Sequence, residues 1–224
     1  MVFILLPSFV EGWNSNYHRS LAETVYYHLD PEIRGNLNLS LIKYGATSPD
    51  LVFHDTRFHH YPISYGLAER WLIGAKLNYS LKEYNKASYS FGVASHYISD
   101  SFVAPHYVSR EPGSLHSEFE NINYKFKSKC NANKIDLNQS LYLGSLNQED
   151  WAIWLLSKNK NIPEKEVEEA LSVLYPISLE TFNSSCNNIE TEISKKSYFN
   201  FKNVFYILII TFPIYFLIRK FFKN

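Results

Sequence analysis

Apolar positions recur at helical intervals along nearly the whole middle of the chain. His18, Leu21, Val25 and Leu29 share one face of a first helix. Residues 32–44 predict a second, closed by Gly45. Leu67, Trp71, Ala75 and residues 77–79 predict a third, and residues 84–103 a fourth, with Ala87, Phe91, Ala94 and Ile98 as its stripe. Residues 116–127 and 148–157 form the fifth and sixth. Pro163 opens a seventh, with Glu164, Glu166 and Glu168 near its positive end. The last, residues 178–196, carries the stripe Leu179, Phe182, Cys186, Ile189 and Ile193. With no useful strand alternation, repeat or low-complexity tract, the pattern predicts an all-α protein with a single multi-helix bundle.

Both ends break this pattern. Residues 1–12 carry a short apolar stretch ending in a small residue, like the tail of a secretory leader without its basic start. Residues 204–218 are fifteen positions without a charge, followed by Arg219, Lys220 and Lys223. A helix of that length spans about 22 Å, short of a roughly 30 Å hydrocarbon core. Flanking phenylalanines extend it and the lysines can snorkel. The expectation is a leader (1–12), a soluble domain (13–198) and a C-terminal transmembrane helix (199–224). The basic tail would face the cytoplasm, leaving a membrane-anchored, extracytoplasmic domain.

Composition narrows the function classes. Hydrophobic residues at 46% and aromatics at 17% argue against disorder. Twenty-two basic and 22 acidic residues cancel, so no stable nucleic-acid partner is expected. Two cysteines do not define a disulfide framework. The position of Cys186 on an apolar stripe predicts a buried thiol; a bridge to Cys130 is the alternative outside the cytoplasm.

The candidate chemistry sits in SFGVASHYISDSFVAPHYVSREPGSLHSEFEN, residues 90–121. His96 and Asp100 are four apart, on one helical face turned away from the apolar stripe. Gly92, one turn earlier, is expected to leave room for a metal. His116 and Glu120 repeat the spacing on a second helix, and Pro105 stops the first just before His106. Imidazole and carboxylate are the ligands of catalytic zinc. Burying five such groups without a cation would leave charges unpaired at high cost.

The order H-x3-D-x5-H followed by H-x3-E resembles the signature of the zinc-dependent phospholipases C secreted by bacteria, which reads roughly LHYLGD…PMH and HSKYE. Here the gap between the last two histidines is shorter. The resemblance implies up to three zinc ions. His18 in NYHRSLAE matches the family's early ligand, and Asp50 in GATSPDL its turn aspartate. HHY aligned on the family's HFY favours His59, with His60 and His54 as alternatives. Trp13, after Gly12, matches a ligand that chelates through a free α-amino group once a leader is cut. The resemblance then assigns Asp50, His59, His96 and Asp100 to one ion, Trp13, His18 and a shared Asp100 to a second, and His106, His116 and Glu120 to a third.

The implied activity is hydrolysis of a phospholipid or other phosphodiester at a membrane, with Asp50 as general base as well as ligand. Two alternatives stand beside it. One is a zinc nuclease for single strands, whose last pair tends to read His-x-x-Trp-Asp where this chain has His116-Ser117-Glu118-Phe119-Glu120. The other is a non-catalytic anchored module stabilised by zinc.

Overall fold

The structure, a computed structural model, describes residues 15–55, 57–109, 112–120, 125–187 and 191–194. The leader, Trp13 and the apolar stretch 204–218 lie outside the described residues. No helix among the described residues is long and apolar enough to cross a membrane.

The chain runs through α1 (Ser15–His28), α2 (Pro31–Asn36), α3 (Leu39–Gly45), α4 (Ser48–Leu51), α5 (Ile63–Ser80) and α6 (Tyr84–Asp100). A 3-10 turn, Ala104–Tyr107, leads to α7 (Gly113–Glu120) and β1 (Lys125–Ser128). α8 (Leu137–Gly144), α9 (Gln148–Ser157), α10 (Asn161–Phe182) and β2 (Thr191–Ser194) follow. The class is all-helical, with one short antiparallel ribbon in which Phe126 stands opposite Ile193.

Helix α6 is the axis. Apart from Tyr89, every residue from Ala87 to Asp100 is buried, because α1, α3, α5 and α10 surround it. An expected apolar side and ligand side are therefore both interior. Gly92 serves packing, which corrects the expectation of room for a metal. A β-carbon there would meet the Ile42 carbonyl oxygen at 2.1 Å and the Gly45 Cα at 3.0 Å. Only two glycines allow α3 and α6 to cross this closely.

The predicted 32–44 helix is two. Leu37 adopts an extended backbone, and Asn38 caps α3 by accepting from the Leu41 N–H. The fifth helix ends at Glu120 rather than 127, and Lys125–Ser128 is a strand. The last helix is also corrected. α10 runs unbroken through Pro176, then ends where Asn183 takes a left-handed φ of 50°. Near-continuous burial from Val173 to Phe182 outweighs the ~3 kcal/mol that an interior proline costs. Beyond it, Cys186 bridges Leu29 and forms a disulfide with Cys130 across 56 residues of sequence. The expected buried thiol is thus oxidised. Its apolar spacing reflected packing of an irregular segment against the core, where Cys130 also lies.

Candidate metal centre

The candidate side chains are delivered by several separate elements. α1 presents His18, and the short helix α4, with Pro49 in its first turn, presents Asp50. The loop before α5 carries His59, and the last turns of α6 carry His96 and Asp100. His106 sits in the 3-10 turn. On α7, Phe119 packs edge-on between Trp151 and Trp154 of α9, with ring centroids 5.7 and 5.1 Å away. That anchor turns the adjacent Glu120 inward, where it is 3% exposed.

These elements meet around Asp100. His59 Nδ1 and His96 Nε2 lie 2.9 and 3.0 Å from its Oδ2, and His18 Nε2 lies 3.3 Å from Oδ1. Asp50 Oδ1 stands 3.5 Å from His96 Nε2 and 3.6 Å from His59 Nε2. His116 Nε2 is 2.5 Å from Glu120 Oε1, and His106 Nε2 is 3.6 Å from the same oxygen. Among the described residues, four overlapping sets of three donors have all their ligand atoms within 4.8 Å of one another: His18, His96, Asp100; Asp50, His59, His96; His59, Asp100, His106; and His106, His116, Glu120. His59, His96, Asp100 and His106 thus each belong to two sets. Among the three alternatives His54, His59 and His60, His59 is the one against Asp50 and Asp100. His60 packs on Tyr107, and His54 lines a neighbouring cleft.

Outer contacts orient the rings. His96 Nδ1–H donates to the Ala46 carbonyl at 2.9 Å, and His106 Nδ1–H to the Asp100 carbonyl at 3.2 Å. A carbonyl only accepts, so in both rings Nδ1 carries the proton and Nε2 offers its lone pair inward. Ser99 Oγ donates to the His96 carbonyl and so accepts from His18 Nδ1–H at 3.0 Å. Tyr97 donates to Asp55 Oδ2 at 2.8 Å and ties the loop before His59 to α6. Ser99, Tyr97 and the Ala46 carbonyl were not singled out from the sequence, although Ser99 and Tyr97 stand within the SHYISD segment.

The electrostatics are those of a cation site. Among the described residues, Asp50, Asp100 and Glu120 form no ion pair with a lysine or arginine. Burial alone would raise the Asp100 carboxyl, but His96, His18 and His106 around it hold it well below the usual carboxylate range. Burial pushes Glu120 up to about 8 against the opposing pull of His116, and pushes His106 down to about 3. The inward Nε2 of His59 and His96, both Asp100 oxygens and Glu120 Oε2 are buried without an aligned hydrogen bond among the described residues. Nitrogen lone pairs and carboxylate oxygens converging in this way fit zinc's donor preferences, and a bound cation would satisfy them together.

A sequence profile describing zinc-dependent phospholipase C matches residues 17–184, from the first turn of α1 through the end of α10. No curated protein and no solved structure matches the chain. A match over most of the chain, on a helical core gathering these donors, makes it a member of the zinc-dependent phospholipase C family, hydrolases of phosphoric ester bonds.

Proposed function

We propose that the protein is a phospholipase C that hydrolyses the phosphodiester of a membrane phospholipid into a diacylglycerol-type lipid and a phosphorylated headgroup. One observation carries the reading: imidazole nitrogens and carboxylate oxygens converge, buried and without aligned hydrogen bonds, at one end of α6. Asp50, His59, His96 and Asp100 would hold one zinc, His18 and Asp100 together with Trp13 a second, and His106, His116 and Glu120 a third. Zinc held there supplies Lewis acidity to the phosphoryl oxygens and brings the ionisation of water toward neutrality.

The chain's own groups do the rest. Asp50 sits at the solvent side of the cluster, its side chain 13% exposed while Asp100 is 1% exposed. It is therefore the carboxylate that an entering water can reach, and its Oδ1 takes the proton as water attacks phosphorus. The bond from phosphorus to the glycerol oxygen breaks, and the leaving oxygen regains a proton. Ala46 and Ser99 keep the imidazoles aimed while charge moves.

The cleft above the cluster, about 390 Å³, is lined chiefly by Arg57, His59, His60, His106 and His116. A leader over residues 1–12, a catalytic domain over 13–198 and an anchor over 199–224 would hold this cleft beside lipid outside the cytoplasm. The Cys130–Cys186 disulfide supports an oxidising compartment.

His96→Ala and Glu120→Ala test the reading together. Each is expected to lose bound zinc, by elemental analysis, and to abolish release of phosphorylated headgroup from a short-chain phospholipid. Full activity in either variant, or hydrolysis of single-stranded DNA in place of the lipid by the unmodified protein, overturns it.

A further inference from the structure

Arg57 stands where two clefts meet. It lines the cleft over the metal cluster, and it also lines a neighbouring one of about 280 Å³ formed with Phe53, His54, Asp55 and Phe58. Its guanidinium makes no hydrogen bond or ion pair with any described residue. The loop bearing it is fixed on both sides. Asp55 accepts from Tyr97 at 2.8 Å and donates its N–H to the Pro49 carbonyl at 2.9 Å, and His59 is packed on Asp100. The chain therefore holds an uncommitted, permanently charged fork at the junction.

The rest of the lining gives the sign of what fits. Among the described residues no carboxylate lines the cleft over the cluster; Asp100 and Glu120 are buried among the histidines. In the second cleft the one acid among the described residues, Asp55, accepts from Tyr97 at Oδ2, and its Oδ1 is buried rather than open to the cleft. A quaternary ammonium needs a carboxylate or open aromatic faces without a competing cation. A group bearing a carboxylate or a second phosphate instead meets Arg57 in the geometry a guanidinium prefers.

Building on the phospholipase reading above, we infer that Arg57 selects substrates whose headgroup carries an anionic group beyond the scissile phosphodiester. Its fork binds that anion in the second cleft while the phosphodiester lies over the metal cluster. Arg57 is thus a specificity residue.

The test compares short-chain phosphatidylserine with phosphatidylcholine of the same acyl chains, using the full chain with zinc. Calorimetric titration with phosphoserine and phosphocholine runs in parallel as a readout that needs no turnover. The unmodified protein is expected to prefer the serine lipid and to bind phosphoserine more tightly. Arg57→Gln should lower the serine-to-choline ratio of kcat/KM, and the corresponding binding ratio, about tenfold, while Arg57→Lys retains part of it. Equal losses on both lipids would mean that Arg57 only touches the common phosphate, and unchanged ratios that it touches neither; both overturn the inference. Should the protein hydrolyse neither lipid, the phospholipase reading fails, and the binding ratio still decides the role of Arg57.

Discussion

Gly45 and Gly92 face one another across the crossing of α3 and α6 with space for hydrogens only. A β-carbon on Gly45 would meet the Tyr89 carbonyl oxygen at 2.3 Å and the Gly92 Cα at 3.1 Å. This contact lies one turn from the site. α3 ends at Gly45, and the next carbonyl, Ala46, accepts the Nδ1–H of His96. Backbone packing and the aim of a candidate ligand are thus one feature.

Gly92→Ala should therefore destabilise the fold by about 3 kcal/mol, the upper end for overpacking, because the clashing atoms belong to the backbone. The His96–Ala46 bond should lengthen and zinc affinity fall with it. Gly66→Ala, on α5 with nothing within 4 Å of a new β-carbon, should gain roughly 0.5–1 kcal/mol. Urea unfolding of the two variants checks the contrast; similar effects of the two would refute it.

Removing metal should be felt as a loss of stability. A cation present at about 100 times its dissociation constant stabilises the folded chain by ~2.7 kcal/mol. A strong chelator should thus lower the melting temperature, and added zinc should restore it. Asp100→Asn, which takes a charge from the residue shared by His18, His59 and His96, should show little response to either and lose hydrolysis. Calorimetric melts that ignore chelation in the unmodified protein would contradict the cation reading.

What could be read from the sequence was what neighbouring residues decide. The fold class followed from helical periodicity, and α9 has the expected bounds because Lys158 turns left-handed directly after it. The His-x3-Asp and His-x3-Glu pairs were visible because one helical turn fixes their spacing. Contacts between distant segments were not visible. The ribbon pairs strands of four residues that lie far apart, too short to outweigh helical spacing. Pro176 continues α10 only because tertiary burial holds it there. α8 did carry a local signal, Asp136 capping the Gln139 N–H at 2.9 Å, in a stretch without a long apolar stripe. Arg57 has no motif; only the folded loop puts it between two clefts.

The Cys130–Cys186 bridge ties the segment after α10 to the segment before α8. With a sequence separation of 56, chain-entropy reasoning gives about 4 kcal/mol of stabilisation. Cys130→Ser combined with Cys186→Ser should lower unfolding free energy by about 2–4 kcal/mol and leave zinc content intact, since neither cysteine belongs to the donor sets. Denaturant titration with and without reductant is the check. A reductant-insensitive midpoint in the unmodified protein would argue against the bridge.

Glu166 offers a pH test independent of the metal donors. It is 1% exposed on α10; its Oε2 accepts the Ala104 N–H at 3.3 Å, and Oε1 has no partner among the described residues. Burial raises its carboxyl well above the usual range, Asp150 and Glu169 add to the rise, and the Ala104 N–H only partly offsets it. A carboxyl with a raised folded-state value favours the folded chain while protonated. The penalty is absent below the unfolded value of about 4.3, and it grows as pH climbs from there through the folded-state value. Glu166→Gln keeps an acceptor for the Ala104 N–H and removes the ionisation. Relative to the unmodified chain, the variant should thus gain about 1–3 kcal/mol between pH 4 and neutrality, measured by denaturant unfolding across that range. A stability difference that stays flat with pH would show that Glu166 is not buried as an uncompensated acid.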